Sequence, residues 1–155
     1  MKRTLIFFSI FLLLLTGCMS VQDVNVTIDE VSTANVGETI EMQVTIQNFY
    51  TVDRLLTSVD IGDDYLEGMT LLSSNPSWTQ EWDFGWMGFQ SYDYQISIPA
   101  GESLSIIYAF QAEQIGSHEG TFDVCFDTEY DCIYNTIFTS VSDAVVADET
   151  IEETL

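Results

Sequence analysis

Positive charge, histidine and cysteine are all scarce in this sequence. Among 155 residues only Lys2, Arg3 and Arg54 are cationic, against 25 acidic residues. A chain so lopsided repels phosphate backbones and anionic headgroups, which excludes DNA and RNA as partners. His118 is the single imidazole, too few for a histidine-based metal site, and no Gly-x-Ser-x-Gly elbow stands ready to use it as a base. No phosphate-cradling glycine loop occurs. Long amphipathic helical patterns are missing too. The one long apolar run, Leu5 to Leu15, covers about 16 Å as a helix, half of a ~30 Å hydrocarbon core and too short for a permanent transmembrane span. These absences point to no catalytic residue, no cofactor and no metal site.

What is present begins with the leader. Lys2 and Arg3 precede the Leu5–Leu15 run, the architecture of a secretory signal, read as a helix that is removed. The run ends in Leu15-Thr16-Gly17-Cys18, which resembles the lipobox of bacterial lipoproteins. The resemblance implies a diacylglycerol thioether on Cys18, cleavage after Gly17 and a protein held on a membrane by its N-terminal lipid. Acyl chains contribute about 0.8 kcal/mol per buried methylene, so two or more anchor stably where one does not. Residues 1–17 are then signal peptide and 18–23 a lipidated tether. The mature chain keeps Arg54 alone against all 25 acidic residues, a formal charge of −24.

From residue 24 to 141 the pattern is that of antiparallel sheet. Val24, Val26 and Ile28 alternate with polar residues, as do Ile40, Met42, Val44 and Ile46 after a turn at Asn35-Val36-Gly37. Tyr92, Tyr94, Ile96 and Ile98 lead to a turn at Pro99-Ala100-Gly101, followed by Leu104, Ile106, Tyr108 and Phe110. Phe122, Val124 and Phe126 follow Gly116 and Gly120, and Ile133, Ile137 and Val141 mark a last strand. Period-two alternation buries one face and wets the other, and about seven short strands at roughly ten-residue spacing predict an all-β sandwich. Residues 142–155 form an acidic tail, expected to be disordered.

The segments Val36-Gly37-Glu38-Thr39, Ile98-Pro99-Ala100-Gly101-Glu102 and Gly116 to Phe126 resemble turns and strands of immunoglobulin-like modules in prokaryotic surface proteins. The resemblance implies an immunoglobulin-like antiparallel β-sandwich and assigns no chemistry. It departs from antibody domains, since no cysteine lies in the second strand.

Cys125 and Cys132 are the cysteines left once Cys18 carries lipid. Cys125 falls on the face opposite Phe122, Val124 and Phe126, where a partner across a hairpin can meet it, so a disulfide is expected in an extracytoplasmic compartment. Asp127, Glu129 and Asp131 lie between these cysteines, and Asp60, Asp63, Asp64 and Glu67 form a second acidic stretch. Neither matches an EF-hand loop, and both read as solvated loops. Trp78, Trp82 and Trp86 sit in one aromatic segment with Phe84, Met87 and Phe89. Buried, they pack an edge of the sandwich; exposed, they make a binding platform.

The expectation is a lipid-anchored, extracytoplasmic envelope protein acting as a non-enzymatic structural, adhesion or interaction module. A second reading has Trp78, Trp82 and Trp86 bind a polysaccharide or an envelope protein, and a third is a small hydrolase. Exposure of the three tryptophans discriminates the first two readings. A cleft joining His118 to a serine or carboxylate would favour the third.

Overall fold

A computed structural model of the chain describes residues 23–128 and 131–143. The leader, Cys18, most of the tether, Glu129 and the tail from residue 144 lie outside the described residues. Among the described residues ten strands form two sheets: β1 (Val24–Asp29), β2 (Thr33–Asn35), β3 (Thr39–Asn48), β4 (Arg54–Gly62), β5 (Met69–Asn75), β6 (Gln80–Phe84), β7 (Phe89–Ile98), β8 (Ser103–Ala112), β9 (Gly116–Phe126) and β10 (Cys132–Ser142). One helical turn, α1 (Asp63–Leu66), follows β4. No helix among the described residues is long and apolar enough to cross a membrane.

One sheet has the order β1-β3-β8-β5 and the other β2-β10-β9-β4-β7-β6. All pairs are antiparallel except β2 with β10, which run parallel. This two-sheet arrangement is the immunoglobulin-like sandwich, with more strands than alternation alone reveals.

The alternation explains the packing. Ile40, Met42, Val44 and Ile46 of β3 are buried and stand opposite Phe110, Tyr108, Ile106 and Leu104 of β8. The facing sheet contributes Leu56, Val59 and Ile61 from β4, Tyr92 and Tyr94 from β7, and Phe122, Val124 and Phe126 from β9. Tyr108 and Phe122 meet across the sandwich edge to face, ring centroids 5.3 Å apart. Each buried side chain of this size contributes about 1.5–3 kcal/mol of transfer free energy, which makes the inter-sheet layer the main source of stability.

Polar groups secure the ends. Asn48 is fully buried, and its amide donates to the carbonyls of Val52 and Ile98 at 3.0 and 2.9 Å while its oxygen accepts from the Tyr50 N–H. That clamp ties the β3–β4 connection to the turn after β7. Gly37 and Gly101 take positive φ, 82° and 78°, in the two turns read from the sequence, a conformation that costs glycine little.

Cys125 and Cys132 are disulfide-bonded across the β9–β10 hairpin, directly opposite each other in the register. With a sequence separation of 7, closing this loop stabilises by about 2.5 kcal/mol in the chain-entropy model.

Candidate functional site

The outer face of the six-stranded sheet carries the candidate site. In β7 the buried Tyr92 and Tyr94 alternate with Ser91, Asp93 and Gln95, so these polar residues point away from the core. In β4 the same rule turns Ser58 and Asp60 outward. β6 is the last strand, and its pairing sets Trp82 opposite Ser91 and Phe84 opposite Phe89. Together with Met87, Asp127 and Thr128, these side chains line an open groove of about 1030 Å³.

The three tryptophans have different fates. Trp78 is half-buried, edge to face on Tyr92 at 5.1 Å and packed against the apolar core. Trp82 stands on the groove at 47% exposure, its orientation set by an indole N–H donated to Asp93 Oδ2 at 2.9 Å. Trp86 occupies the hairpin turn between β6 and β7 and is 83% exposed. The structure thus exposes Trp82 and Trp86, whereas Trp78 is half-buried and lines no part of the groove.

Hydroxyls and carboxylates form the floor. Ser91 donates its hydroxyl to Asp60 Oδ1, and Asp60 stands opposite Asp123 of β9 in the strand register. Burial pushes the Asp60 carboxyl up, partly offset by the Ser91 and Ser58 hydroxyls. Asp123 is pushed up to about 6, first by burial and then by the charge of Asp60. Its Oδ1 is enclosed without a hydrogen-bond partner among the described residues. The Cys125 sulfur lies 3.8 Å from Asp60 Oδ2, so the disulfide borders this pair of carboxyls.

Asp123 makes the fold sensitive to pH. Its folded-state value of about 6 stands above the usual aspartate value near 4, so the folded state binds the proton more tightly. The stability this contributes is fully present below about pH 4 and is lost as pH rises through about 6. Asp123→Asn keeps the shape and removes the charge. Its thermal midpoint is expected to match the parent near pH 3 and to exceed it above pH 7. Equal midpoints at pH 8 would contradict the account.

Arg54 stands at the edge of the site. It is 7% exposed, donates to Asp127 and Asp131, and lies over the rings of Tyr50 and Phe126 at 4.8 and 5.4 Å. Asp127 also accepts from the Leu55 N–H at 2.9 Å. Asp127 and Asp131, read from the sequence as part of a solvated acidic loop, are therefore both paired with Arg54. No group of three or more metal-ligating side chains occurs among the described residues.

His118 is distant from this chemistry. Its ring fills the space above Gly68, where an added Cβ would stand 1.9 Å from His118 Cε1, and its Nε2 meets the Gln114 carbonyl at 2.8 Å. It lines no part of the groove. Sequence reasoning missed Ser91 and Asp93, although their signal was available as the polar alternates of the Tyr92–Ile98 strand.

No protein-family model matches the sequence, and no curated protein matches it. Solved structures do resemble it in fold. A CARDB domain from Pyrococcus furiosus, solved in complex with di-metal ions, is similar at 15% identity and a TM-score of 0.47, covering 77% of this chain and 88% of that one. AvmM, which catalyses macrocyclization in alchivemycin A biosynthesis, is similar at 13% identity and a TM-score of 0.50, covering 80% of this chain and 92% of that one. Likeness at this level is one of fold alone: this chain shares a β-sandwich with such proteins, and its function has to be argued from its own residues.

Proposed function

We propose that this chain is a non-enzymatic, lipid-anchored module of the cell envelope that binds a partner through the Trp82–Trp86 side of its six-stranded sheet. The observation that carries the reading is the exposure of Trp82 and Trp86 beside a polar-floored groove. Large aromatics left in water forgo about 1.5–3 kcal/mol of burial each, and tryptophan is enriched at binding hot spots. The hydrogen bond to Asp93 holds the Trp82 ring ready for contact, which lowers the ordering cost of binding. Anchoring rests on Leu15-Thr16-Gly17-Cys18, and it places the sandwich outside the membrane on a short tether.

The full chain, processed in cells and reconstituted in liposomes, tests both parts. Cys18→Ser is expected to move the protein out of the membrane fraction. The Trp82→Ala/Trp86→Ala double variant should stay on the membrane yet capture at least about fivefold less envelope material from the source cell. Capture that is undiminished in the double variant overturns the assigned surface. Membrane association that survives Cys18→Ser overturns the anchor.

A further inference from the structure

The groove's charge identifies the kind of partner it suits. Asp60 and Asp93 line it beside Trp82, Phe84 and Phe89. Arg54 is the one lysine or arginine among the described residues, and both of its ion pairs are with Asp127 and Asp131. Among the described residues the donors to Asp60 and Asp93 are therefore neutral: the Ser91 and Ser58 hydroxyls on Asp60 and the Trp82 indole on Asp93. Each keeps acceptor capacity toward the groove, and burial already disfavours the charge on Asp60.

From this we infer that the groove receives an arginine- or lysine-rich segment of a partner protein. The inference rests on the proposed binding role and names its ligand chemistry. A guanidinium fits both halves of the lining, since it stacks on aromatic faces and donates to carboxylates. Its charge also meets a mature chain of formal charge −24, which steers a basic partner inward and turns acidic ones away. A second copy of this chain is disfavoured for the same reason, because the adjoining strand β6 exposes Glu81 and Asp83.

The test uses the mature lipoprotein in nonionic detergent micelles, titrated by tryptophan fluorescence and calorimetry. The probes are a capped octapeptide of alternating arginine and threonine, the same peptide with glutamate for arginine, and a tetramer of N-acetylglucosamine. Saturable one-to-one binding is expected for the arginine peptide alone. Asp60→Asn and Trp82→Ala should each weaken it about tenfold or more, and Glu41→Gln/Glu102→Gln, in β3 and in the turn before β8, by less than about twofold. Ser58→Lys places a cation beside Asp60 and should also weaken binding at least about tenfold. It serves as the second variant should Trp82→Ala fail to fold.

Equal weakening by the Glu41/Glu102 variant would mean diffuse attraction to an acidic surface and would overturn the inference. Binding of the saccharide in place of the peptide would overturn it as well. If Trp82-dependent capture of envelope material persists without peptide binding, this inference fails alone. Loss of both removes the proposed function with it.

Discussion

Arg54→Met is expected to lower the free energy of unfolding by about 3 kcal/mol, one of the largest effects of any single polar substitution in this chain. Breaking a fully buried ion pair typically costs about 3–5 kcal/mol, because the remaining charges are left uncompensated. Here the arginine is buried while the side chains of Asp127 and Asp131 are 42% and 60% exposed, so water screens part of that penalty. Methionine replaces most of the apolar stem, which confines the loss to the guanidinium, its hydrogen bonds and its contacts with Tyr50 and Phe126. Arg54→Lys should fall between, since an ammonium keeps the charge but not the fork that reaches two carboxylates. Urea unfolding of the three proteins at pH 7 measures this. A loss of under about 0.5 kcal/mol for Arg54→Met would show that the pair is an exposed surface bridge in its energetics. The effect should reach the groove, because Asp127 and Thr128 form one of its walls.

Gly120→Val should be at least as damaging. Gly120 lies inside β9, where α1 packs against the strand; an added Cβ would meet Tyr65 Cβ at 2.7 Å and Tyr65 N at 2.9 Å. Backbone is among the obstructing atoms, so no rotamer change relieves the clash. Tyr65 is itself fixed, with its hydroxyl 3.0 Å from Thr139 Oγ1 and its ring edge to face with Phe110 at 5.4 Å. Overpacking of this kind costs about 1–3 kcal/mol and more where the neighbours cannot move, so a loss of about 3 kcal/mol or failure to fold is expected. Gly37→Ala supplies the contrast. Its Cβ would meet nothing within 4 Å, leaving only the strain of φ 82°, a cost of about 1 kcal/mol. Thermal and urea unfolding of both variants decide it. A Gly120→Val protein as stable as Gly37→Ala would mean that α1 is not held against β9.

Alternation made much of the fold legible. The runs through Val24, Ile40, Tyr92, Leu104, Phe122 and Ile137 correspond to β1, β3, β7, β8, β9 and β10. β4 and β5 escaped because each carries a register shift, between Leu56 and Ser58 and between Leu71 and Ser73. A bulge resets the period of two, and a rule that counts every second residue loses the strand there. β2 is only three residues long, and it pairs with a strand more than 100 residues later. Gly120 lies within a continuous strand and marks a close approach.

The site was legible in pieces. The face of Cys125 followed from its neighbours, so its pairing with Cys132 could be anticipated. Trp82 and Trp86 stood out by residue type, but their separation from Trp78 depends on which side of β7 each reaches. The task of Arg54 was out of sight, since Asp127 and Asp131 lie 73 and 77 residues away. Its one clue is scarcity, because Arg54 is the one lysine or arginine among the described residues.

The groove as the contact surface is tested most directly by hydrogen exchange of the full chain, with and without envelope material from its own cell. Added envelope is expected to slow exchange along β6, the Gly85–Gly88 turn and the start of β7. The outer face of β1, β3, β8 and β5 should exchange unchanged. Protection that appears on that four-stranded sheet, or nowhere, would contradict the account.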